Sequence, residues 1–150
     1  MSKLKELMAT CLTAAALCML PLPTLAQTLL EAGKTDIGVL YLDSDSVSTV
    51  KKDGKYYLAF FAEEKYTDQS FLAALRQGED MQNAVSGISL YLFNTFGSEY
   101  TIGASYVVDA DGKICADLGV DATPQDARKN PTLRNAYTMA LKILQRKSGQ

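Results

Sequence analysis

Beyond its first 26 residues the chain alternates between two hydrophobic periods. Ile37 to Leu42 is a β-branched and aromatic run of strand length, and the cluster Asp43-Ser44-Asp45-Ser46 ends it in a turn or bulge. Val47–Lys51 and Lys55–Lys65 read as two strands joined at Asp53-Gly54, because a two-residue hairpin turn needs the positive φ that Asp and Gly tolerate. Between Asp68 and Gln77 the period lengthens to that of a helix, with Phe71, Leu72 and Leu75 on one side and Gly78 placed to end it in the left-handed conformation. From Val85 to Phe96 both faces of a strand are apolar, Ile88, Leu90 and Leu92 on one and Tyr91 and Phe93 on the other, which predicts a central strand covered on both sides. Should no element cover Tyr91 and Phe93, they form an exposed aromatic patch of the kind that marks an interaction site.

The clearest alternation follows, Tyr100, Ile102, Ala104, Tyr106 and Val108 against Thr101, Gly103, Ser105 and Val107, predicting one buried face. Asp109-Ala110-Asp111-Gly112 reverses the chain, after which Ile114, Ala116 and Leu118 resume the inward face. Asn130-Pro131 opens a helix, since Asn caps free amides and Pro has its φ preset for the first turn. Leu133, Tyr137, Ala140, Leu141 and Leu144 then recur on one side of it, with Arg134, Asn135, Lys142 and Arg146 on the other. The expected fold is α+β: an antiparallel β-sheet of about five to six strands, a C-terminal amphipathic helix packed on one face and a short inserted helix. Most gaps between strands are too short for the crossovers of a parallel sheet.

The first residues follow a different logic. Lys3 and Lys5 precede an apolar run from Leu7 to Leu20, and Thr24-Leu25-Ala26 is a small-residue exit, the three parts of a secretory signal peptide with cleavage expected before Gln27. The run is about 14 residues, whereas a membrane-spanning helix needs about 20, so no transmembrane anchor is expected after cleavage. Cys11 follows Thr10 and Cys18 follows Leu17, neither being the small residue that a lipid-modified cysteine requires before it. Residues 27–150 are then a single exported domain, periplasmic or at the cell surface.

Charge and cysteine content narrow the chemistry. The mature part carries a formal charge of −3 with its Lys and Arg scattered, which argues against nucleic acid as a partner. It keeps one cysteine, Cys115, and therefore forms no internal disulfide. A lone thiol is either buried and inert or open to intermolecular pairing; the hydrophobic character of free cysteine argues for burial, while its register with Lys113 and Asp117 puts it on the more polar side.

The chain contains no histidine, which removes Ser-His-Asp and Cys-His catalysis and histidine-ligated metal sites. Paired carboxylates could still perform glycosidase chemistry, with Asp43, Asp45, Asp109 and Asp111 as candidates, but all four lie in predicted turns, where short acidic side chains bond nearby amides. A calcium loop starting at Asp109 would need a bidentate Glu at its twelfth position, which is Val120. Hence no catalytic residue, cofactor or metal ligand is assigned, and most of the eight tyrosines read as packing residues.

The order of these pieces resembles the surface-adhesin protein E-like domain of bacterial envelope proteins over about residues 37–145. The resemblance rests on Tyr41-Leu42-Asp43-Ser44-Asp45-Ser46-Val47, on Leu90-Tyr91-Leu92-Phe93-Asn94 leading into a long alternating strand, and on Asp109-Ala110-Asp111-Gly112-Lys113 before a terminal helix. Asp43, Ser46, Asp109 and Gly112 carry its motifs as turn residues. It implies a non-enzymatic, adhesin-like module whose partner is a protein or another envelope component. Members commonly pair a cysteine after the central strand with one in the last helix; Asn94 and Ile143 stand at about those places, so a bridge typically worth about 2–4 kcal/mol is replaced here by packing. An inhibitor or small-ligand carrier of the periplasm is the alternative reading, since a sheet backed by a helix can cup a ligand on its other face.

Overall fold

The computed structural model describes residues 28–149; the expected signal peptide lies outside the described residues. Eight antiparallel strands form one sheet: β1 (Leu29–Lys34), β2 (Gly38–Asp43), β3 (Ser48–Lys52), β4 (Lys55–Tyr66), β5 (Ala84–Phe93), β6 (Glu99–Asp109), β7 (Ile114–Asp117) and β8 (Asp121–Asp126). Helix α1 (Gln69–Leu75) is inserted between β4 and β5, and α2 (Pro131–Ser148) closes the described chain. The α+β architecture is thus the expected one.

Its topology is a meander of six lines. β2 and β3 are two halves of one line along β4, Leu42 pairing with Ala62 and Ser48 with Ala59, interrupted by a 3-10 turn at Ser44–Ser46. β7 and β8 divide β6 in the same way. At the β3–β4 turn Asp53 and Gly54 both take positive φ, +52° and +79°, the backbone twist a two-residue hairpin needs.

Two clusters of buried side chains lie on opposite faces. On one, Leu40, Leu42, Leu58, Phe60, Ala62, Phe93 and Tyr100 pack with Leu133, Ala136, Tyr137 and Ala140 of α2. On the other, Val50, Ala59, Ile88, Leu90, Leu92, Ala104, Tyr106 and Val108 pack together. α2 crosses β1, β2 and β4. Asn130 caps it by accepting a hydrogen bond from Leu133 N, and Asn135 and Thr132 donate to the backbone oxygens of Ala32 and Lys34 at 2.6 and 2.5 Å. These bonds and the apolar stripe hold the helix without a disulfide.

Several local expectations are corrected. β6 does not keep one face inward: Leu90 pairs with Ala104 but Tyr91 with Ile102, so a bulge at Gly103 switches the faces. Tyr100 and Ile102 join the helix-side cluster, while Ala104, Tyr106 and Val108 belong to the opposite one. Ile114 and Leu118 are 46 % and 62 % exposed, because β7 is a four-residue edge strand beyond the reach of α2. Gly78 does not end α1 in the left-handed region; Arg76 caps it in a right-handed conformation, and the positive φ falls at Asp80. β1 and β8 occupy stretches whose composition predicts no strand.

Candidate functional site

The four motif residues sit in turns and do not converge. Ser46 spans the gap in the β2–β3 line: its hydroxyl donates to Asp43 O at 2.7 Å and accepts from Phe61 N at 2.8 Å, an amide left without a strand partner where the ladder is broken. Asp43 is 1 % exposed, and its Oδ1 accepts from Thr28 Oγ1 at 2.9 Å and Asp45 N at 3.0 Å. Burial pushes its carboxyl pKa up, against the pull of those hydrogen bonds. Asp109 accepts from Asp111 N and Lys113 N, both at 2.9 Å, and Gly112 takes φ +78° in the β6–β7 turn. These contacts are local turn chemistry, and neither groove described below is lined by an acidic turn residue of this group.

Tyr91 and Phe93 do not form an exposed patch. Phe93 is fully buried, stacked on Phe60 at 5.7 Å and packed against Tyr137 of α2 at 4.8 Å between ring centroids. Tyr91 is half-buried beside Phe60 and Tyr100. The C-terminal helix, running over the start of the meander, covers the aromatic face that the alternation of β5 left open.

The exposed aromatic surface lies instead at the tips of the hairpins. A groove of about 570 Å³ opens between the β3–β4 turn, the β5–β6 turn and β8, lined by Tyr56, Tyr57, Phe96, Glu99, Tyr100 and Pro124 among others. Phe96 is 88 % exposed and Tyr56 60 %, the two most exposed aromatic residues among those described. Local chemistry fixes Phe96 there. Asn94 Oδ1 accepts from Ser98 N at 2.9 Å and Glu99 N at 3.3 Å, and Gly97 N donates to Asn94 O, closing a tight turn with Phe96 near its apex. Gly97 takes φ +67° and lies so close to the Tyr137 ring that a Cβ would collide with it, so the inner side of the turn is filled. Tyr56 shares the helix-side parity of Leu58 and Phe60 but sits at the hairpin tip beyond α2; Lys51 Nζ lies 5.5 Å from its ring centroid.

Sequence reading missed this pair. The signal that could have found it is positional: both residues flank glycine turns at one end of the meander, where alternation no longer guarantees cover.

A second groove of about 620 Å³, bordered by Lys34, Asp36, Glu64, Lys129 and Thr132, lies where the β1–β2 turn meets the start of α2 and is charged with both signs. Further along the same face Ser89 and Ser105 share a hydrogen bond at 2.9 Å near Tyr91 and Tyr66. Burial, with a smaller push from Glu64, raises both phenols to about 12. Tyr91 also shares a hydrogen bond with Ser89 that pulls its pKa the other way.

Cys115 is half-buried, its Sγ 3.9 Å from Lys113 O, between the two expectations for it. Among the described residues no helix is long and apolar enough to cross a membrane. Comparison with known proteins finds no matching family model, no matching curated protein and no matching solved structure.

Proposed function

We propose that the chain is an exported, non-catalytic binding module of the bacterial envelope or cell surface, adhesin-like in kind, and that the aromatic groove at the hairpin tips meets its partner. The observation that carries this reading is the convergence of Phe96 and Tyr56 on one groove. An aromatic ring left in water forgoes the roughly 1.5–3 kcal/mol its burial would supply, and aromatic side chains are enriched where partners dock. The leader sequence supports export. The missing imidazole supports binding over catalysis. The resemblance to surface-adhesin protein E-like domains supports an envelope partner, here taken to be a protein.

The test places a photo-crosslinking amino acid at Phe96 or, as a control, at Asp111 on the β6–β7 turn, in the full chain expressed in its producing cells. The reading expects a processed protein outside the cytoplasm and a discrete crosslinked protein from position 96 only. A full-length cytoplasmic product, or equal labelling from both positions, overturns it. The small-ligand alternative draws on the groove's volume, within the roughly 300–1,000 Å³ of ligand pockets. Under that reading a small molecule co-purifies with the domain and leaves on Phe96→Ala, with no crosslinked protein.

A further inference from the structure

β4 reaches further than the strand beside it. It begins at Lys55, but its ladder with β5 begins only where Leu58 meets Phe93, the last residue of β5 before Asn94 turns the chain away. Lys55, Tyr56 and Tyr57 therefore have β3 on one side and no strand on the other. The two-residue turn makes Lys52 and Lys55 bond each other, so Tyr56, the next residue, directs its N–H and C=O outward to the open side. The groove of about 570 Å³ occupies that open place. Tyr56 and Tyr57 both line it, and as neighbours in a strand they leave opposite faces of the sheet, so the groove runs along the edge of β4 and not over a face. Its charge is one-sided at the β3–β4 end. Lys52 and Lys55 stand directly opposite each other across the ladder, a destabilising pairing of like charges, and neither forms an ion pair among the described residues.

We propose that the groove takes an extended peptide segment of the partner protein, which adds to β4 as a short strand where β5 stops and sets an acidic side chain against Lys52 and Lys55. The inference rests on the binding reading above and names the chemistry of the partner. An open strand edge is a template for main-chain pairing, and the side chains flanking it select the sequence. About three residues pair here, spanning about 10 Å. Alternate side chains of the segment fall on the two sides from which Tyr56 and Tyr57 project, where rings favour β-branched or aromatic neighbours. Glu99 lines the same groove from β6 and repels acids, which confines them to the β3–β4 end. A lipid surface could use the exposed Phe96 ring and the lysines, but it has no main chain to complete a ladder.

The test starts from the chain carrying the photo-crosslinking amino acid at position 96, expressed in its producing cells. Lys52→Glu combined with Lys55→Glu keeps two like charges opposite each other, so the hairpin is equally loaded, and is expected to lower the yield of crosslinked protein about tenfold. Lys52→Arg combined with Lys55→Arg keeps the yield. An undiminished crosslink in the glutamate variant overturns the inference and leaves the binding reading standing, whereas no crosslink in the parent chain removes that reading itself. A random peptide library displayed on phage, selected on the protein purified from those cells, is expected to enrich acidic segments with β-branched or aromatic neighbours, and the glutamate variant basic ones. The most enriched peptide is expected to slow hydrogen exchange at the Tyr56 amide about tenfold. Enriched peptides without acids, no enrichment, or an unchanged Tyr56 amide overturn strand addition. So does sedimentation with phosphatidylglycerol vesicles that is lost on Phe96→Ala while no peptide is enriched, which assigns the hairpin tips to a lipid surface.

Discussion

Ser46 does at one position what a whole strand residue does elsewhere. Its hydroxyl takes the place of a backbone carbonyl for Phe61 N, and removing it strands a part-buried amide. Ser46→Ala is therefore expected to lower stability by about 1–3 kcal/mol in denaturant unfolding, whereas Ser46→Thr, which keeps the hydroxyl, recovers most of the loss. Phe96 is the opposite case. With its ring 88 % in solvent, Phe96→Ser should move the unfolding free energy by no more than about 0.5 kcal/mol, while it abolishes the proposed crosslink site. Cys115, half-buried on a short edge strand, is expected to tolerate Cys115→Ser with an unchanged melting curve to within the same margin. A large loss there would mean that its sulfur packs more tightly than a 3.9 Å contact with Lys113 O indicates.

At the scale of elements, the sequence was most readable where period and punctuation agree. The Asp53-Gly54 hairpin, the central strand β5 and the helix beginning at Asn130-Pro131 each combine an apolar repeat with a turn or cap residue of matching geometry, and the structure places all three within a few residues of expectation. β1 and β8 were illegible for physical reasons. β1 is an edge strand with a bulge between Glu31 and Gly33, and β8 carries Pro124 and mostly polar residues; both are strands because a neighbour offers unpaired backbone groups, which side-chain pattern does not encode. The Gly103 bulge was hidden in the same way, since alternation continues across it and only the pairing partner reveals the slip. That slip, together with the path of α2, is also why Tyr91 and Phe93 are covered on the helix side and the aromatic surface lies at the tips. The helix itself carries the consequence of having no bridging cysteine. Leu133 is fully buried among β-sheet side chains, so Leu133→Ala should cost about 2–5 kcal/mol and loosen α2 before the rest of the sheet, seen as early exchange of its amide hydrogens.

At the scale of the whole molecule, stability follows from which groups hold their protons differently when folded and unfolded. With no histidine, the neutral range lacks the usual titrating side chain, and two buried phenols shift the balance at the alkaline end. Tyr66 and Tyr91 are both raised to about 12, first by burial and second, for Tyr91, against the pull of a hydrogen bond with Ser89. Below about pH 10 these phenols are protonated in both states and contribute no pH dependence. Between about 10 and 12 the unfolded chain releases protons that the folded one retains, so unfolding is favoured progressively as pH rises, by about 2 kcal/mol for the well-buried Tyr91 and by less for Tyr66, which solvent screens. The melting temperature should therefore fall across that window. Tyr66→Phe, which keeps the edge-on contact with Phe71 at a centroid distance of 4.8 Å, should make the fall shallower without changing the midpoint at pH 8 by more than a few degrees. Absorbance titration in the folded chain checks the same point independently: Tyr66 and Tyr91 should ionise late, and the variant should lose one of these two late phenols. If Tyr66 and Tyr91 instead ionise in the ordinary phenol range while the chain remains folded, the polar-aromatic corner around Glu64, Ser89 and Ser105 is open to water, and it would join the hairpin-tip groove as accessible binding surface.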